Sequence, residues 1–320
     1  MSAKTILQIK NLDISFRTNA GVVHAIRGIN LDLQKGETVA IVGESGSGKS
    51  VTMKAAVGLL DSNATINSGE ILYTYDDGHG QDKTVDLLKL SKKQLRTEYN
   101  GQRLAMVFQD PMASLNPRKK VGDIISEGMD IHHRFANRQE REEKISEMLK
   151  KVGLSPEHAA RYPHQFSGGQ RQRVGIARAL IMNPKLIIAD ECISALDVSI
   201  QAQVVNLMKD IQEETQCAYL FIAHDLSMVK YISDRIGVLH LGYMVESGTK
   251  EEIFSHPIHP YTKSLLSAIP HPNPVVEKHR VALTYNYATS GIDYAKGTEH
   301  SVGGTHTVLA TDEEFDAWTK

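Results

Sequence analysis

A glycine-rich loop follows a short apolar segment near the amino terminus. The loop, GESGSGKS, occupies residues 43–50 and comes directly after the run ETVAIV. Its spacing fits the phosphate-loop pattern, in which glycines let successive backbone N–H groups point at phosphate oxygens. Lys49 is then placed to reach the β- and γ-phosphates, Ser50 to bind Mg²⁺, and a helix beginning near Val51 to add its dipole. A glycine-rich turn is the alternative, but the predicted strand before the loop and helix after it favour phosphate binding.

Two adjacent carboxylates end another apolar segment. The run LIIADE, at residues 186–191, predicts a strand that delivers Asp190 and Glu191 at its carboxyl end, where α/β sheets bind ligands. Asp190 can hold Mg²⁺ through water, and Glu191 is placed to act as a general base on an attacking water. Alone, the two residues fit a charged strand end equally well, and the phosphate loop upstream favours the catalytic interpretation.

A third polar segment, FSGGQRQR, spans residues 166–173. Ser167, Gly168 and Gly169 are suited to open a helix and to offer N–H groups and a hydroxyl to a phosphate. The segment by itself does not indicate which phosphate it binds.

The pattern around these motifs predicts an α/β fold. Alternating apolar and polar residues at 5–17 and 22–34 predict an antiparallel layer. Helical patterns separate the later apolar runs, and a helical subdomain is predicted at about 121–178, with one apolar stripe along residues 139–152. Apolar runs without alternation predict strands that are buried on both faces, at residues 37–43, 103–109, 185–190 and 218–224.

Composition excludes several classes of protein. The 320 residues include 36 Lys plus Arg and 38 Asp plus Glu, and the net charge of −2 does not favour a nucleic-acid binder. Cys192 and Cys217 are too few for a disulfide framework or a four-cysteine metal site, and indicate a reducing compartment. No signal peptide is predicted, and the apolar runs are far shorter than the ~20 residues of a spanning helix. We therefore expect a soluble chain, which leaves attachment to a membrane through a partner open.

The chain changes character after Gly248. Prolines crowd residues 256–274 around one short helical stretch, and residues 275–320 show little periodicity, so their fold is not predicted. We divide the chain into a main domain, residues 1–255, and a C-terminal extension, residues 256–320. Four histidines of the extension lack the compact spacing of a metal site and are interpreted as loop residues: His256, His259, His271 and His279.

The order of these motifs resembles that of the ATP-binding subunits of ABC transporters. Gln109 in VFQDP matches the Q-loop glutamine, SALD at 194–197 matches the D-loop, and His224 in IAHD matches the switch histidine. Phe16 stands where the family places an aromatic ring that stacks on adenine. The resemblance covers about residues 5–250. It implies a P-loop NTPase fold of the ABC ATPase type, with an antiparallel β layer and an inserted helical subdomain.

The resemblance implies that the chain binds ATP with Mg²⁺ and hydrolyses ATP. Glu191 would be the general base, His224 would contact the γ-phosphate, and Gln109 would sense Mg²⁺ and water. The Mg²⁺ ligands implied are Ser50, Gln109 and, through water, Asp190. The other nucleotide-binding positions implied are Phe16, Gly43, Glu44, Ser45, Gly46, Ser47, Gly48, Lys49, Ser50, Val51 and the signature residues Ser167, Gly168, Gly169 and Gln170.

In this family the signature segment acts on the ATP that is held by the other protomer. One chain has one loop and one signature, so two complete sites need a head-to-tail pair of chains. Cys192 and Ile193 depart from the Pro and Thr that usually follow the catalytic glutamate. Both side chains are small enough to fit, so we expect ATPase activity to survive.

Within the family, residues 256–274 and the phrase QDPMASLNP resemble the oligopeptide/dipeptide permease group, nearest to the F-type ATPase subunit of Gram-positive bacteria. The resemblance implies a second, paralogous ATPase subunit, two membrane permease subunits and an extracellular peptide-binding protein, with this chain at the cytoplasmic face of the cell membrane. The nickel-import branch shares the C-terminal region, so nickel or another small solute is the alternative to peptides. Many relatives carry a cysteine cluster for an iron–sulfur centre there; no cysteine follows Cys217, so no cluster is expected.

Two other classes fit the sequence less well. Soluble ABC ATPases of DNA repair carry a long coiled coil between the phosphate loop and the signature segment. Soluble ABC ATPases of translation normally carry two ATPase cassettes in one chain. This sequence shows neither feature. A non-catalytic partner with a degenerate site is disfavoured, because Glu191 and His224 are both intact.

Overall fold

The computed structural model describes residues 4–270 and 282–320. Its strands are β1 Thr5–Thr18, β2 Gly21–Gln34, β3 Thr38–Val42, β4 Ala64–Asp76, β5 Asp82–Asp86, β6 Leu104–Val107, β7 Leu186–Asp190, β8 Ala218–Ile222, β9 Arg235–His240, β10 Tyr243–Thr249, β11 Thr298–Gly303 and β12 His306–Ala310.

The helices connect and cover these strands. They are α1 Lys49–Ala56, α2 Lys92–Gln94, α3 Pro111–Ser114, α4 Val121–Ile125, α5 Glu127–His132, α6 Arg138–Lys151, α7 Gly168–Leu180, α8 Val198–Thr215, α9 Leu226–Ile232, α10 Lys250–Ser255, α11 Pro260–Ser267, α12 Tyr287–Ser290 and α13 Asp312–Thr319. A π-helical turn, Leu95–Tyr99, follows α2, and short 3₁₀ turns occur at Leu87–Lys89, Pro156–Ala160 and Pro163–Gln165.

Two sheets organise the described residues. An antiparallel sheet has the order β2-β1-β4-β5, and a larger sheet has the order β11-β12-β10-β9-β3-β8-β7-β6. The five strands from β9 to β6 are parallel. All five therefore end at the same edge of the sheet, which is where open α/β sheets bind ligands.

The central strands bury both faces, because successive side chains of a strand point to opposite sides. On β3, Ala40 and Val42 join a core that is shared with α7 and α8. Val39 and Ile41 join a second core that is shared with α1 and the antiparallel sheet. A strand in this position needs apolar residues at every position, which explains why these runs do not alternate.

The sequence patterns located four of the five parallel strands, β3, β6, β7 and β8, and the first antiparallel pair, but missed β9 and part of the antiparallel sheet. Residues 75–85 are rich in Asp and Gly, a composition that predicts a surface loop. In the structure β4 and β5 extend into this stretch from both sides and form a hairpin, with Asp76 paired to Asp82. The turn between them is the part that matches a loop. β4 went unrecognised because most of its side chains are exposed or half-buried, and only Ile71 and Tyr73 are fully buried.

The end of the C-terminal extension is folded. β11 and β12 form a hairpin that pairs with β10 and continues the large sheet. His306, Val308 and Ala310 point into the core, so a polar residue holds one of the three buried positions and obscures the apolar alternation. The Gly303–Gly304 pair between two short runs is a hairpin signal that could have revealed these strands.

Within residues 4–270 and 282–320, no helix has both the length and the apolar character needed to cross a bilayer.

Candidate active site

The phosphate loop leaves the carboxyl end of β3 and leads directly into α1, which begins at Lys49. Gly43 has a φ of 146°. A Cβ atom at this position would lie 2.0 Å from the carbonyl oxygen of Leu239. Only glycine fits a backbone that is both left-handed and this close to a neighbouring strand.

Lys49 folds back over the loop. Its Nζ donates to the carbonyl oxygens of Gly43 and Glu44, both at 2.8 Å. Burial lowers the pKa of Lys49, while Glu191 and Asp190 nearby oppose this shift. Within the same loop, the buried hydroxyl of Ser47 has no hydrogen-bond partner among the described residues. A buried donor without a partner is costly, and phosphate oxygens would satisfy it.

Ser50 and Asp190 meet across the loop. The Ser50 hydroxyl, in the first turn of α1, donates to Oδ1 of Asp190 at the end of β7 over 3.0 Å. Burial raises the pKa of Asp190, and the bond from Ser50 counteracts it. A hydroxyl and a carboxylate are the hard oxygen ligands that Mg²⁺ prefers, so this donor set fits the metal.

Glu191 lies one residue beyond β7 in the left-handed region, with a φ of 43°. Such a conformation is strained for a non-glycine residue and occurs most often at functional sites. Its backbone N–H donates to the carbonyl of Ile222 over 3.1 Å, and the Ser194 hydroxyl donates to its carbonyl over 2.8 Å. These contacts hold the strained backbone in place.

Two more predicted residues converge on the Glu191 carboxylate. Nε2 of Gln109, two residues beyond β6, donates to Oε2 of Glu191 over 2.8 Å. Nδ1 of His224, two residues beyond β8, lies 3.8 Å from the same oxygen. Three neighbouring parallel strands thus deliver one predicted catalytic side chain each to the same edge.

The signature residues lie apart from this cluster. Ser167 caps α7, with its hydroxyl accepting from the Gln170 N–H over 3.3 Å and the Gln170 amide accepting from the Ser167 N–H over 3.0 Å. Ser167 and Gly168 are exposed, while Gly169 is buried against Ile200, whose side chain would meet an added Cβ at 2.4 Å. The start of α7 is therefore built around glycine, and its first residues, Ser167 and Gly168, lie at the surface.

Phe16 lies near the end of β1, paired with Val23, and packs half-buried against the core beneath the antiparallel sheet. Val51 is half-buried in the first turn of α1. Part of each side chain therefore packs into the core. The stacking of Phe16 on adenine stays a prediction.

Cys192 follows Glu191 and is buried, with 1% of its surface exposed. Burial raises the pKa of its thiol to about 12, so the thiol stays protonated at neutral pH. A protonated, inaccessible thiol is a poor nucleophile. The small Cys192 side chain is thus accommodated in a buried position directly after Glu191.

The histidines of the extension divide between described and undescribed residues. His271 and His279 lie outside the described residues. His259 is buried and its Nδ1 accepts from the Tyr261 N–H over 3.0 Å, which is a helix-capping contact.

One contact of the loop was missed by the sequence analysis. The hydroxyl of Tyr261, in α11 of the extension, accepts a hydrogen bond from the Glu44 N–H over 3.0 Å. The only sequence signal was that Tyr261 belongs to an apolar edge among prolines, and nothing in that pattern specifies contact with a loop more than 200 residues earlier.

Comparison with known families matches two segments of the chain. Residues 26–194 match the family described as "ABC transporter". The chain belongs to the ABC transporter family. Residues 245–289 of this ABC protein match a second family, described as "Oligopeptide/dipeptide transporter, C-terminal region". The predicted family, its oligopeptide/dipeptide group and the ABC ATPase fold are confirmed.

Curated relatives match this ABC protein over nearly its whole length. It is 50% identical to the oligopeptide transport ATP-binding protein OppF of Bacillus subtilis, over 98% of this chain and 99% of the relative. It is 49% identical to the dipeptide transport ATP-binding protein DppF of Lactococcus lactis, over 99% of this chain and 97% of the relative. The expected similarity to F-type subunits of Gram-positive bacteria is confirmed.

Solved structures match the fold. The dimeric post-hydrolysis state of the ATP-binding cassette MJ0796, bound to ADP and Pi, aligns with a TM-score of 0.66 at 28% identity. The alignment covers 77% of this chain and 99% of that one. The expectation that this ABC protein is an ATPase is confirmed.

Proposed function

We propose that this ABC ATPase binds and hydrolyses ATP at the carboxyl edge of its parallel sheet and thereby powers the import of oligopeptides or dipeptides. The observation that carries the proposal is the convergence of Gln109, Glu191 and His224 beside the Ser50–Asp190 pair. The similarity to relatives named as oligopeptide and dipeptide transport ATP-binding proteins, at 50% and 49% identity over nearly the whole chain, supports peptides over nickel as the solute.

In this proposal each residue of the loop has a defined task. Residues 43–50 surround the phosphates with N–H groups, and Lys49 exchanges its bonds to Gly43 and Glu44 for bonds to the β- and γ-phosphates. Ser50, Gln109 and, through water, Asp190 would hold Mg²⁺, which neutralises phosphate charge when bound. Phe16 stacks on the adenine ring.

Glu191 orients and deprotonates the attacking water, and His224 contacts the γ-phosphate. The carboxylate already accepts from Gln109 and lies near His224, so its position is set before the nucleotide arrives. A fixed base lowers the cost of reaching the productive geometry.

The signature residues complete the site of another protomer. Ser167 and Gly168 are exposed at the N-terminus of α7, and a helix N-terminus is a place where phosphate can bind. We propose a head-to-tail pair with a paralogous ATPase subunit, closed by ATP and reopened by hydrolysis. Two permease subunits and an extracellular peptide-binding protein complete the transporter, with this chain at the cytoplasmic face of the membrane.

A direct test of the site is Lys49→Ala. Loss of the lysine should weaken binding of a non-hydrolysable ATP analogue at least tenfold, because a buried cation that faces the phosphates is removed. Lys150→Ala, which removes an exposed lysine from α6, is the control and should bind normally. Equal binding by Lys49→Ala and wild type would contradict the proposed nucleotide site.

The transport role is tested by uptake in cells that lack the gene. Labelled peptides of two to six residues and, separately, nickel are supplied, with wild-type and Glu191→Gln copies for rescue. Loss of peptide uptake that only the wild-type copy restores is the expected result. Intact peptide uptake with reduced nickel uptake would overturn the solute assignment and leave the ATPase assignment standing.

A further inference from the structure

Tyr261 connects the C-terminal extension to the phosphate loop. We propose that Tyr261 is a positioning residue for ATP binding, whose hydroxyl fixes the Gly43–Glu44 peptide unit and thereby the resting place of Lys49. This inference rests on the proposed function, because it takes residues 43–50 as the site of the nucleotide phosphates.

The geometry places one peptide unit between two side chains. The N–H of Glu44 donates to the Tyr261 hydroxyl over 3.0 Å. The carbonyl of Gly43, which belongs to the same peptide unit, accepts from Nζ of Lys49 over 2.8 Å. In a trans peptide the N–H and C=O groups point in opposite directions. Tyr261 and Lys49 therefore hold this unit from opposite sides, and rotation of the peptide would break both bonds.

Packing fixes the Tyr261 ring. Only 2% of its surface is exposed. The ring stacks on His240, at the end of β9, with centroids 4.0 Å apart and planes 21° apart. Nδ1 of His240 in turn bonds the Tyr294 hydroxyl at 2.7 Å. A buried, stacked ring has little freedom, so its hydroxyl is a fixed acceptor for the loop.

The backbone before Tyr261 is fixed as well. Both carboxylate oxygens of the buried Glu246, on β10, accept backbone N–H groups, from Ile258 over 2.7 Å and from His259 over 3.0 Å. Nε2 of His306, on β12, lies 2.7 Å from the same carboxylate. The start of α11 is thus tied to the last strands of the large sheet, and Tyr261 is placed by residues that lie after the conventional nucleotide-binding motifs.

The consequence is a loop that is organised before ATP arrives. A peptide unit free to rotate would have to be ordered at binding, and that ordering reduces affinity. A single neutral hydrogen bond is worth a factor of about three to ten in an equilibrium constant. Removing the hydroxyl should therefore weaken nucleotide binding by this factor without changing the fold.

The test uses the full chain and the variant Tyr261→Phe, which keeps the ring and its stacking and removes only the hydroxyl. Tyr285→Phe is the matched control, because it removes a hydroxyl from the same aromatic cluster that bonds Tyr294 instead of the loop. Hydrogen–deuterium exchange of a peptide that spans residues 43–48 is measured without nucleotide. Binding of the ATP analogue AMP-PNP and steady-state ATPase activity are measured in parallel.

For Tyr261→Phe we expect exchange in the loop to accelerate at least threefold and AMP-PNP to bind about three- to tenfold more weakly. The KM for ATP should rise by a similar factor while kcat stays within twofold, since the hydroxyl contacts neither the γ-phosphate nor the water. Tyr285→Phe should leave loop exchange and affinity within twofold of wild type.

Two outcomes would overturn the assignment. Unchanged loop exchange and affinity in Tyr261→Phe would show that the hydroxyl does not hold the loop. Equal changes in both tyrosine variants would assign the effect to the stability of the cluster. If Lys49→Ala loses nucleotide affinity as expected, either of these results overturns only the role of Tyr261. If Lys49→Ala binds nucleotide as tightly as wild type, the proposed function itself is overturned.

Discussion

The side-chain amide of Gln109 donates to the carboxylate of Glu191 over 2.8 Å, although 82 positions separate them in the chain. Each residue follows a strand of the same parallel sheet, β6 and β7, whose carboxyl ends are adjacent. The bond orients the carboxylate and occupies only one of its two oxygens. The other oxygen is left to accept a proton from water, as the role of general base requires.

The first prediction concerns Glu191→Gln. The amide cannot accept the proton of the attacking water, so ATP turnover should fall by about 10²- to 10⁴-fold. ATP binding should be preserved, because the loop residues are untouched. Turnover is measured by phosphate release, and ATP-bound protomer pairs by light scattering. Wild-type turnover in the variant would refute the assignment of Glu191 as the base.

The second prediction concerns Gly43→Ala. The added Cβ would meet the Leu239 carbonyl at 2.0 Å, so the loop must move away from β9. Gly21→Ala is the control, because Gly21 also has a positive φ, 121°, but has open space around it. We expect Gly43→Ala to lower the free energy of unfolding by about 1–3 kcal/mol more than the control does, as overpacking in a filled site does.

Urea unfolding monitored by circular dichroism measures this difference, and AMP-PNP titration measures the effect on the loop. Nucleotide affinity should fall in Gly43→Ala and not in Gly21→Ala. Equal stability of the two variants would contradict the close packing of the loop against β9.

The third prediction concerns the buried pair Glu246–His306, in which the side chains are 0% and 4% exposed. His306→Ala leaves the buried Glu246 side chain without its ring partner, and the loss of a hydrogen-bond partner by a buried polar group costs about 1–3 kcal/mol of unfolding free energy. Arg138→Ala is the control: it breaks an exposed ion pair with Glu142 and should cost less than about 1 kcal/mol.

The measurement is the urea midpoint of the full chain, with the variant Glu246→Gln/His306→Ala as a further check. Neutralising the carboxylate should recover part of the lost stability. If His306→Ala is as stable as wild type, the C-terminal strands do not stabilise the fold.

The fourth prediction is a pH dependence that arises at His240. Burial lowers its pKa to about 4, from an ordinary value of 6.5. Between these values the unfolded chain binds more protons than the folded one, so stability falls as the pH drops from 6.5 towards 4. His240 alone should reduce the free energy of unfolding by about 2 kcal/mol between pH 7 and pH 5.

His240→Phe isolates this contribution, because it keeps a ring against Tyr261 and removes the titrating group. The drop in stability from pH 7 to pH 5 should be smaller in the variant by about that amount. The other titrating groups are present in both proteins, and among the described residues His259 is the one whose pKa also depends on His240. The same pH dependence in variant and wild type would exclude His240 as the source.

Much of this site follows from local sequence patterns. The phosphate loop, the two carboxylates after β7 and the glycine-rich start of α7 each depend on neighbouring residues. Their backbone geometry is set by glycines and by apolar runs that can only be buried strands. Gln109, Asp190, Glu191 and His224 each stand at or just after the end of an apolar run in the sequence, and the order of the parallel strands brings them together at one edge.

The contacts that join distant segments were decided by the tertiary structure alone. Nothing local to Tyr261 specifies a bond to Glu44, and nothing local to His306 specifies burial against Glu246. A polar side chain at a core position is stable only when a distant partner satisfies it, and that partner is known only once the chain is folded. For the same reason the apolar pattern did not predict β11 and β12. It did predict β3, which has five buried apolar or small residues in succession.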